Sequence, residues 1–133
     1  MAYNDRFNLK EYCRFGQLIA LYMYHASSGL YGCPLAMTDG AAYTLNKLDK
    51  RKAPHLDEAF AHLISTGKDG VEPWTSGQWM TEKKGGSDVS NTETVAILNQ
   101  KTGRYNLYGY KWFTSATESQ MSLALGKVID CDM

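Results

Sequence analysis

The sequence predicts an α+β fold in which N-terminal helices precede part of an antiparallel β-barrel or β-sandwich domain. Up to residue 65, apolar side chains recur every three or four positions, which is the period of an amphipathic helix. After Gly70 the chain changes to short runs rich in β-branched and aromatic residues, which favour strands. We therefore expect the helices first and the sheet second.

The first helix is expected over Leu9 to Ala26. Asn8 and Glu11 have the spacing of a capping box, in which each side chain bonds the backbone of the other residue. The triplet Ser27-Ser28-Gly29 is expected to end the helix. One face of the stretch is apolar and consists of Phe15, Leu18, Ile19, Tyr22 and Met23.

The second helix has two possible starts. Either Pro34 lies in its first turn, or Thr38 caps a helix that begins at Asp39. Both versions end in the charged run at 49–52 and carry apolar side chains on one side, namely Ala41, Ala42, Leu45 and Leu48. A third helix is expected over Leu56 to Ser65, because acidic residues lie in its first turn, where the helix dipole favours them.

The second half of the chain contains four strand-like runs. Lys101-Thr102-Gly103 lies between two of them and is expected to form a hairpin turn. The runs are Gln78 to Thr81, Glu93 to Leu98, Tyr105 to Thr114 and Ser122 to Ile129. About four strands leave open edges that need a partner sheet, and the three helices lack an obvious preceding partner. We therefore expect the chain to be a fragment that is truncated at both ends.

Composition excludes several classes of protein. The chain has 44% hydrophobic and 21% charged residues, values that argue against intrinsic disorder and against a coiled coil. Fourteen basic residues balance fourteen acidic ones, so the basic excess of a typical nucleic-acid-binding protein is missing. No apolar run reaches the roughly 18 residues of a membrane span. Three widely spaced cysteines favour reduced thiols in an intracellular compartment, whether cytoplasmic, mitochondrial or peroxisomal.

The most informative stretch is QWMTEKKGGSDVS, residues 78–90. It is interpreted as a short strand that leaves through Thr81 and Glu82 into a turn with two glycines and Ser87. Paired glycines allow close approach of the backbone to a ligand. Successive N–H groups in such a turn form an anion site, to which the serine hydroxyl adds a donor. The turn would suit a phosphate or pyrophosphate, although alone such a sequence is more often a plain surface turn.

A second segment, YGYKWFTSA, follows some 25 residues later. Trp112 and Thr114 are two positions apart, so on a strand they point to the same face. An indole beside a hydroxyl donor suits the lining of a planar heteroaromatic ring. Taken alone, Trp112 is more simply a core aromatic residue.

The two segments together resemble the flavin-binding middle domain of acyl-CoA dehydrogenases. The resemblance is greatest to the branch that contains the bacterial alkylation-response flavoprotein, where the stretch reads close to MTEKxGGSDV and is followed by KWF. The segment GCPLAMTDGAA at 32–42 also fits the helical part that precedes the middle domain in that branch. The resemblance covers residues 9–129 and implies a fragment: residues 1–70 end the N-terminal helical domain, and residues 71–133 form an incomplete FAD-binding middle β-domain.

The resemblance also implies FAD as the cofactor. Backbone groups near Met80 and Thr81 would meet the pyrimidine edge of the flavin, and Gly86 and Ser87 would lie at the pyrophosphate. The Thr114 hydroxyl would approach the N5 edge of the flavin, and Trp112 would pack against the ring. The full set of expected cofactor-binding residues is Gln78, Trp79, Met80, Thr81, Gly86, Ser87, Trp112, Phe113 and Thr114.

No catalytic base and no metal site are expected in this chain. In the family the base, a glutamate in most members, comes from a C-terminal helical domain, so Glu82, Asp88, Glu93 and Glu118 are not assigned that role. The three histidines lack ligand-like spacing. The parent protein is expected to dehydrogenate an acyl-CoA thioester as a dimer or tetramer, whereas this chain alone is expected to bind FAD poorly and to be inactive.

Two other functions remain open from the sequence. One is a fragment of a flavoprotein with a DNA-binding or alkylation-response role, which the branch suggests and the balanced charge neither supports nor excludes. A steep salt dependence of DNA affinity would be required. The other is a non-catalytic interaction module that pairs through open strand edges, and a clean monomer in light scattering would count against it.

Overall fold

The computed structural model describes residues 3, 5, 7–48 and 53–129. It divides into two compact units: Met1–Ser76 with Ser119–Met121, and Gly77–Glu118 with Ser122–Met133. The charged run at 49–52 and Cys131 lie outside the described residues. None of the helices in the described part is long and apolar enough to cross a membrane.

The first unit is helical. A 3₁₀ turn over Lys10–Tyr12 leads into α1 (Cys13–His25), which is followed by α2 (Gly32–Lys47) and α3 (His55–Ile64). The small core lies between α2 and α3, where Ala41, Ala42, Leu45 and Leu63 are buried. Arg14 of α1 forms a two-pronged ion pair with Asp39 of α2, each N···O distance being 2.6 Å.

The structure decides two predicted details of the helix boundaries. The predicted capping box is wrong, because Asn8 has a left-handed backbone with φ of 53° and the Asp5 carboxylate accepts the N–H bonds of Leu9 and Lys10 instead. For α2 the first alternative is correct, since the helix begins at Gly32 and contains Pro34 in its first turn. Thr38 therefore lies inside the helix and is not its N-cap.

The strands are β1 (Ser76–Trp79), β2 (Val95–Asn99), β3 (Arg104–Tyr108), β4 (Met121–Ala124) and β5 (Lys127–Ile129). β1 is hydrogen-bonded to β4, and a second sheet has the order β3-β2-β5. β2 and β3 form the predicted hairpin, antiparallel from Val95 opposite Tyr108 to Asn99 opposite Arg104. Gly103 in its turn has a φ of 66°, which explains why a glycine lies there.

The α+β class is confirmed, and two details of the strands are corrected. The predicted run 122–129 is two separate strands, and the second of them, β5, runs parallel to β2, with Val95 opposite Lys127, so this sheet is not wholly antiparallel as predicted. The predicted strand 105–114 ends at Tyr108, so Trp112 and Thr114 are not on one strand face. Gly109 approaches Thr94 closely at this point, and Phe113 has a φ of 60°, which an extended strand does not allow.

Candidate functional site

The glycine-containing turn is fixed by its own backbone. The N–H of Glu82 donates to the Gly85 carbonyl, and the N–H of Gly85 donates to the Glu82 carbonyl, both at 3.0 Å. Gly86 follows, and a Cβ at this residue would lie 2.9 Å from the Thr81 Cγ2 atom. The Thr81 side chain therefore packs over the glycine, and only glycine fits there without displacement.

A cavity of about 340 Å³ lies beside this turn and brings together three of the predicted residues, Met80, Gly86 and Ser87. Within the described residues, the amides of Gly86 and Ser87 have no hydrogen-bond acceptor. Lys84 lines the same cavity with its ammonium paired to the Glu93 carboxylate at 2.5 Å, and the carboxylates Glu82 and Asp88 line it as well. The free amides and the Ser87 hydroxyl are the donors that an anion site uses, so this part of the turn fits a phosphate or pyrophosphate group.

The second segment of the motif is joined to the first by its backbone. The Trp112 N–H donates to the Thr81 carbonyl at 2.9 Å, which places the aromatic segment next to the glycine turn. Trp112 also lines a second cavity of about 630 Å³ with Tyr110 and Lys111. Trp112 is 55% exposed and Phe113 75% exposed, so both rings have surface available for a planar ligand.

Four further predicted residues lie outside the two cavities. The Trp79 indole N–H donates to the Ser115 carbonyl at 2.9 Å, and a Cβ at Gly77 would lie 2.8 Å from the same indole nitrogen. Gln78 and Thr114 are exposed. Gln78, Trp79, Phe113 and Thr114 do not line either of the two cavities.

The residue that sequence reasoning missed is Glu82, which is only 7% exposed. Its carboxylate lies 2.6 Å from the Lys111 ammonium, and both side chains are buried. It also accepts the hydroxyl of Thr94 at 2.7 Å and the N–H of Thr94 at 3.1 Å. Two further bonds come from the Thr92 hydroxyl and from the Glu93 N–H, the latter at 2.5 Å.

This network sets the charge state of Glu82. The Lys111 ammonium, followed by the Thr92 hydroxyl and the Glu93 N–H, holds the pKa of the Glu82 carboxyl far below its usual range. Burial acts in the opposite direction but is outweighed by these donors. Glu82 is therefore ionised at neutral pH, where its carboxylate serves as a structural anion.

The lowered pKa predicts a pH dependence of stability. The unfolded chain binds the proton first as pH falls, so the contribution of Glu82 is complete above the ordinary glutamate pKa of about 4.3 and is lost progressively below it. Glu82→Gln should therefore lower the unfolding midpoint most at neutral pH, and its difference from wild type should begin to shrink below about pH 4.3 and be clearly smaller at pH 3. Thermal unfolding followed by near-ultraviolet circular dichroism between pH 3 and 7 measures this.

The control for this pH series is Glu93→Gln. Glu93 is a surface carboxylate paired with Lys84 at 2.5 Å, with side chains 56% and 73% exposed respectively. Exposed pairs contribute little to stability, so this variant should track wild type within about 2 °C. A Glu82→Gln curve that stayed parallel to wild type down to pH 3 would contradict the assignment of Glu82.

Comparison with known proteins places this geometry in context. No family model matches the chain. Over 121 residues, 90% of this chain, it is 46% identical to acyl-CoA dehydrogenase family member 11 of Caenorhabditis elegans, and it covers 19% of that protein. It is 35% identical to the putative acyl-CoA dehydrogenase AidB of Escherichia coli, with 89% of this chain and 23% of that protein covered.

A solved structure gives the same result. The crystal structure of Caenorhabditis elegans ACDH-11 in complex with C11-CoA superimposes with a TM-score of 0.80 at 45% identity, and the match covers 90% of this chain and 20% of that one. The chain is therefore acyl-CoA dehydrogenase-like. The recognition made from the two motifs is confirmed, and this acyl-CoA dehydrogenase-like chain spans about a fifth of the length of the curated relatives it matches.

Proposed function

We propose that this chain forms part of the FAD site of an oxidoreductase that acts on the CH–CH group of acyl-CoA thioesters. On this proposal residues 1–70 end a helical N-terminal domain and residues 71–133 begin the FAD-binding middle β-domain. The observation that carries the proposal is the 2.9 Å bond from the Trp112 N–H to the Thr81 carbonyl. It joins a turn with free amides to an exposed aromatic segment, and a flavin dinucleotide has an anionic part and a planar part to match.

The roles proposed for the individual groups follow the resemblance to acyl-CoA dehydrogenases. Gly86 and Ser87 bind the pyrophosphate through backbone N–H groups and a hydroxyl, and Lys84, which is paired with Glu93, lies nearby. The backbone at Met80 and Thr81, with Gln78 and Trp79 before it, follows the edge of the flavin. Trp112 and Phe113 pack against the ring, and Thr114 offers a hydroxyl at its N5 edge. FAD, when bound, would act as the hydride acceptor for the substrate.

The acyl-CoA substrate belongs to the proposal for the longer parent protein. It is supported by the solved relative, which is a complex with C11-CoA. We further propose that the parent is a homo-oligomer. The isolated chain is expected to bind FAD only weakly and not to oxidise acyl-CoA, because no residue here is assigned as the base and Glu82 is engaged by Lys111.

The test uses two substitutions in the proposed site. Trp112→Ala should weaken FAD binding about 5- to 10-fold, because an aromatic contact is lost, and Ser87→Ala about 10-fold, because a hydrogen bond to a charged group is lost. The ¹H–¹⁵N NMR spectrum of the 133-residue chain, titrated with FAD to millimolar concentration, measures both weak affinities.

Tyr105→Ala is the matched control for Trp112→Ala. Tyr105 is an aromatic residue of similar exposure, 50%, on β3 in the same unit. This substitution should leave the FAD affinity within about twofold of wild type. Unchanged binding in both Trp112→Ala and Ser87→Ala would refute the assignment of the site.

A further inference from the structure

The Glu82–Lys111 ion pair lies at the junction of the two proposed parts of the FAD site. Glu82 directly follows Thr81, whose carbonyl accepts the Trp112 N–H, and Lys111 directly precedes Trp112. The side-chain pair at 2.6 Å and the backbone bond at 2.9 Å are thus adjacent links between the same two segments. The side chains of Glu82 and Lys111 are 7% and 9% exposed, so solvent does not screen the pair.

Glu82 also lines both cavities of the site. One contains Gly86 and Ser87, and the other contains Trp112. The threonine hydroxyls and the backbone donors occupy the remaining lone pairs of the carboxylate, and Lys111 itself donates to the Thr92 hydroxyl oxygen at 3.1 Å. A carboxylate held by so many donors has one position, and that position fixes the spacing between the two cavities.

We propose that Glu82 and Lys111 are positioning residues that hold the anion-binding turn and the aromatic segment at the spacing of one flavin dinucleotide. This inference rests on the proposed function and extends it. A ligand that reaches both parts gains from their fixed spacing, because binding at one end makes binding at the other intramolecular. A ligand that reaches one part gains nothing from the pair.

The experiment compares three ligands on wild type and on the double variant Glu82→Gln/Lys111→Met. The double variant leaves no buried charge without a partner, so it is expected to fold. FAD spans both parts, whereas ADP has the pyrophosphate but no flavin ring and riboflavin has the ring but no pyrophosphate. The variant should lose at least about 10-fold in FAD affinity and less than about 3-fold for ADP and for riboflavin. Hydrogen exchange of the Trp112 amide, without any ligand, should accelerate at least about 10-fold.

The outcomes separate the two proposals. Two outcomes, each with unchanged hydrogen exchange at Trp112, would overturn the positioning role while leaving FAD binding intact. One is an equal loss of affinity for all three ligands, and the other is no loss of FAD affinity. Absence of any FAD-induced shift in wild type would overturn the proposed function and, with it, this inference. Glu118→Gln is the control, because it removes an exposed carboxylate charge from the same unit at a residue that lines neither cavity, and it should preserve the preference for FAD.

Discussion

Gly109→Ala should destabilise the second unit by about 3 kcal/mol. A Cβ at this position would lie 2.4 Å from the Thr94 Oγ1 atom and 2.8 Å from the Thr94 Cα atom. Thr94 is buried, and both its N–H and its hydroxyl bond Glu82, so it cannot move without breaking that network. The substitution therefore displaces Thr94 and weakens its hydrogen bonds to Glu82. Urea unfolding followed by tryptophan fluorescence measures the loss.

Gly126→Ala is the matched control for Gly109→Ala. Its Cβ would first meet the Leu107 Cδ2 atom at 3.3 Å, which is the flexible end of a side chain. This variant should lose less than about 1 kcal/mol. Equal stability of Gly109→Ala and wild type would show that Thr94 is not held in place as described.

Lys111→Met should have the other large effect, a fall of roughly 10 °C or more in the unfolding midpoint. The methionine retains most of the apolar stem but removes the cation, and the Glu82 carboxylate is left buried without its partner charge. Adding Glu82→Gln to this variant should recover part of the loss, because the unpaired charge disappears. Thermal unfolding of the two single variants and the double variant gives the coupling between the residues. Strictly additive losses would contradict a direct interaction.

The local features of the fold were predictable from the sequence. Helical periodicity located three helices, and Gly103 marked the hairpin turn because a positive φ requires a suitable residue there. The end of β3 was not predictable, since it depends on the close approach of Gly109 to Thr94. The role of Glu82 was not predictable either, because it also depends on contacts that are distant in sequence. Its partners lie 10, 11, 12 and 29 positions away, so no local spacing connects them.

The candidate site was predictable to a similar extent. The sequence predicted that Gly86 and Ser87 lie in one turn suited to an anion, and the structure places both beside one cavity. The prediction that Trp112 and Thr114 share one strand face was wrong, because the backbone turns at Phe113 with a φ of 60°. What joins the two segments is a tertiary bond from Trp112 to Thr81 and the buried ion pair next to it.

An NMR titration of the ¹⁵N-labelled 133-residue chain with FAD tests the assigned flavin dinucleotide site most directly. We expect weak binding, with amide shift changes concentrated at residues 80–88 and 111–115 and saturating together as one site. The same titration with riboflavin should shift mainly 111–115, and with ADP mainly 85–88. No shift at millimolar FAD, or shifts confined to α1 (Cys13–His25), would contradict the assignment of a flavin dinucleotide site to these two segments.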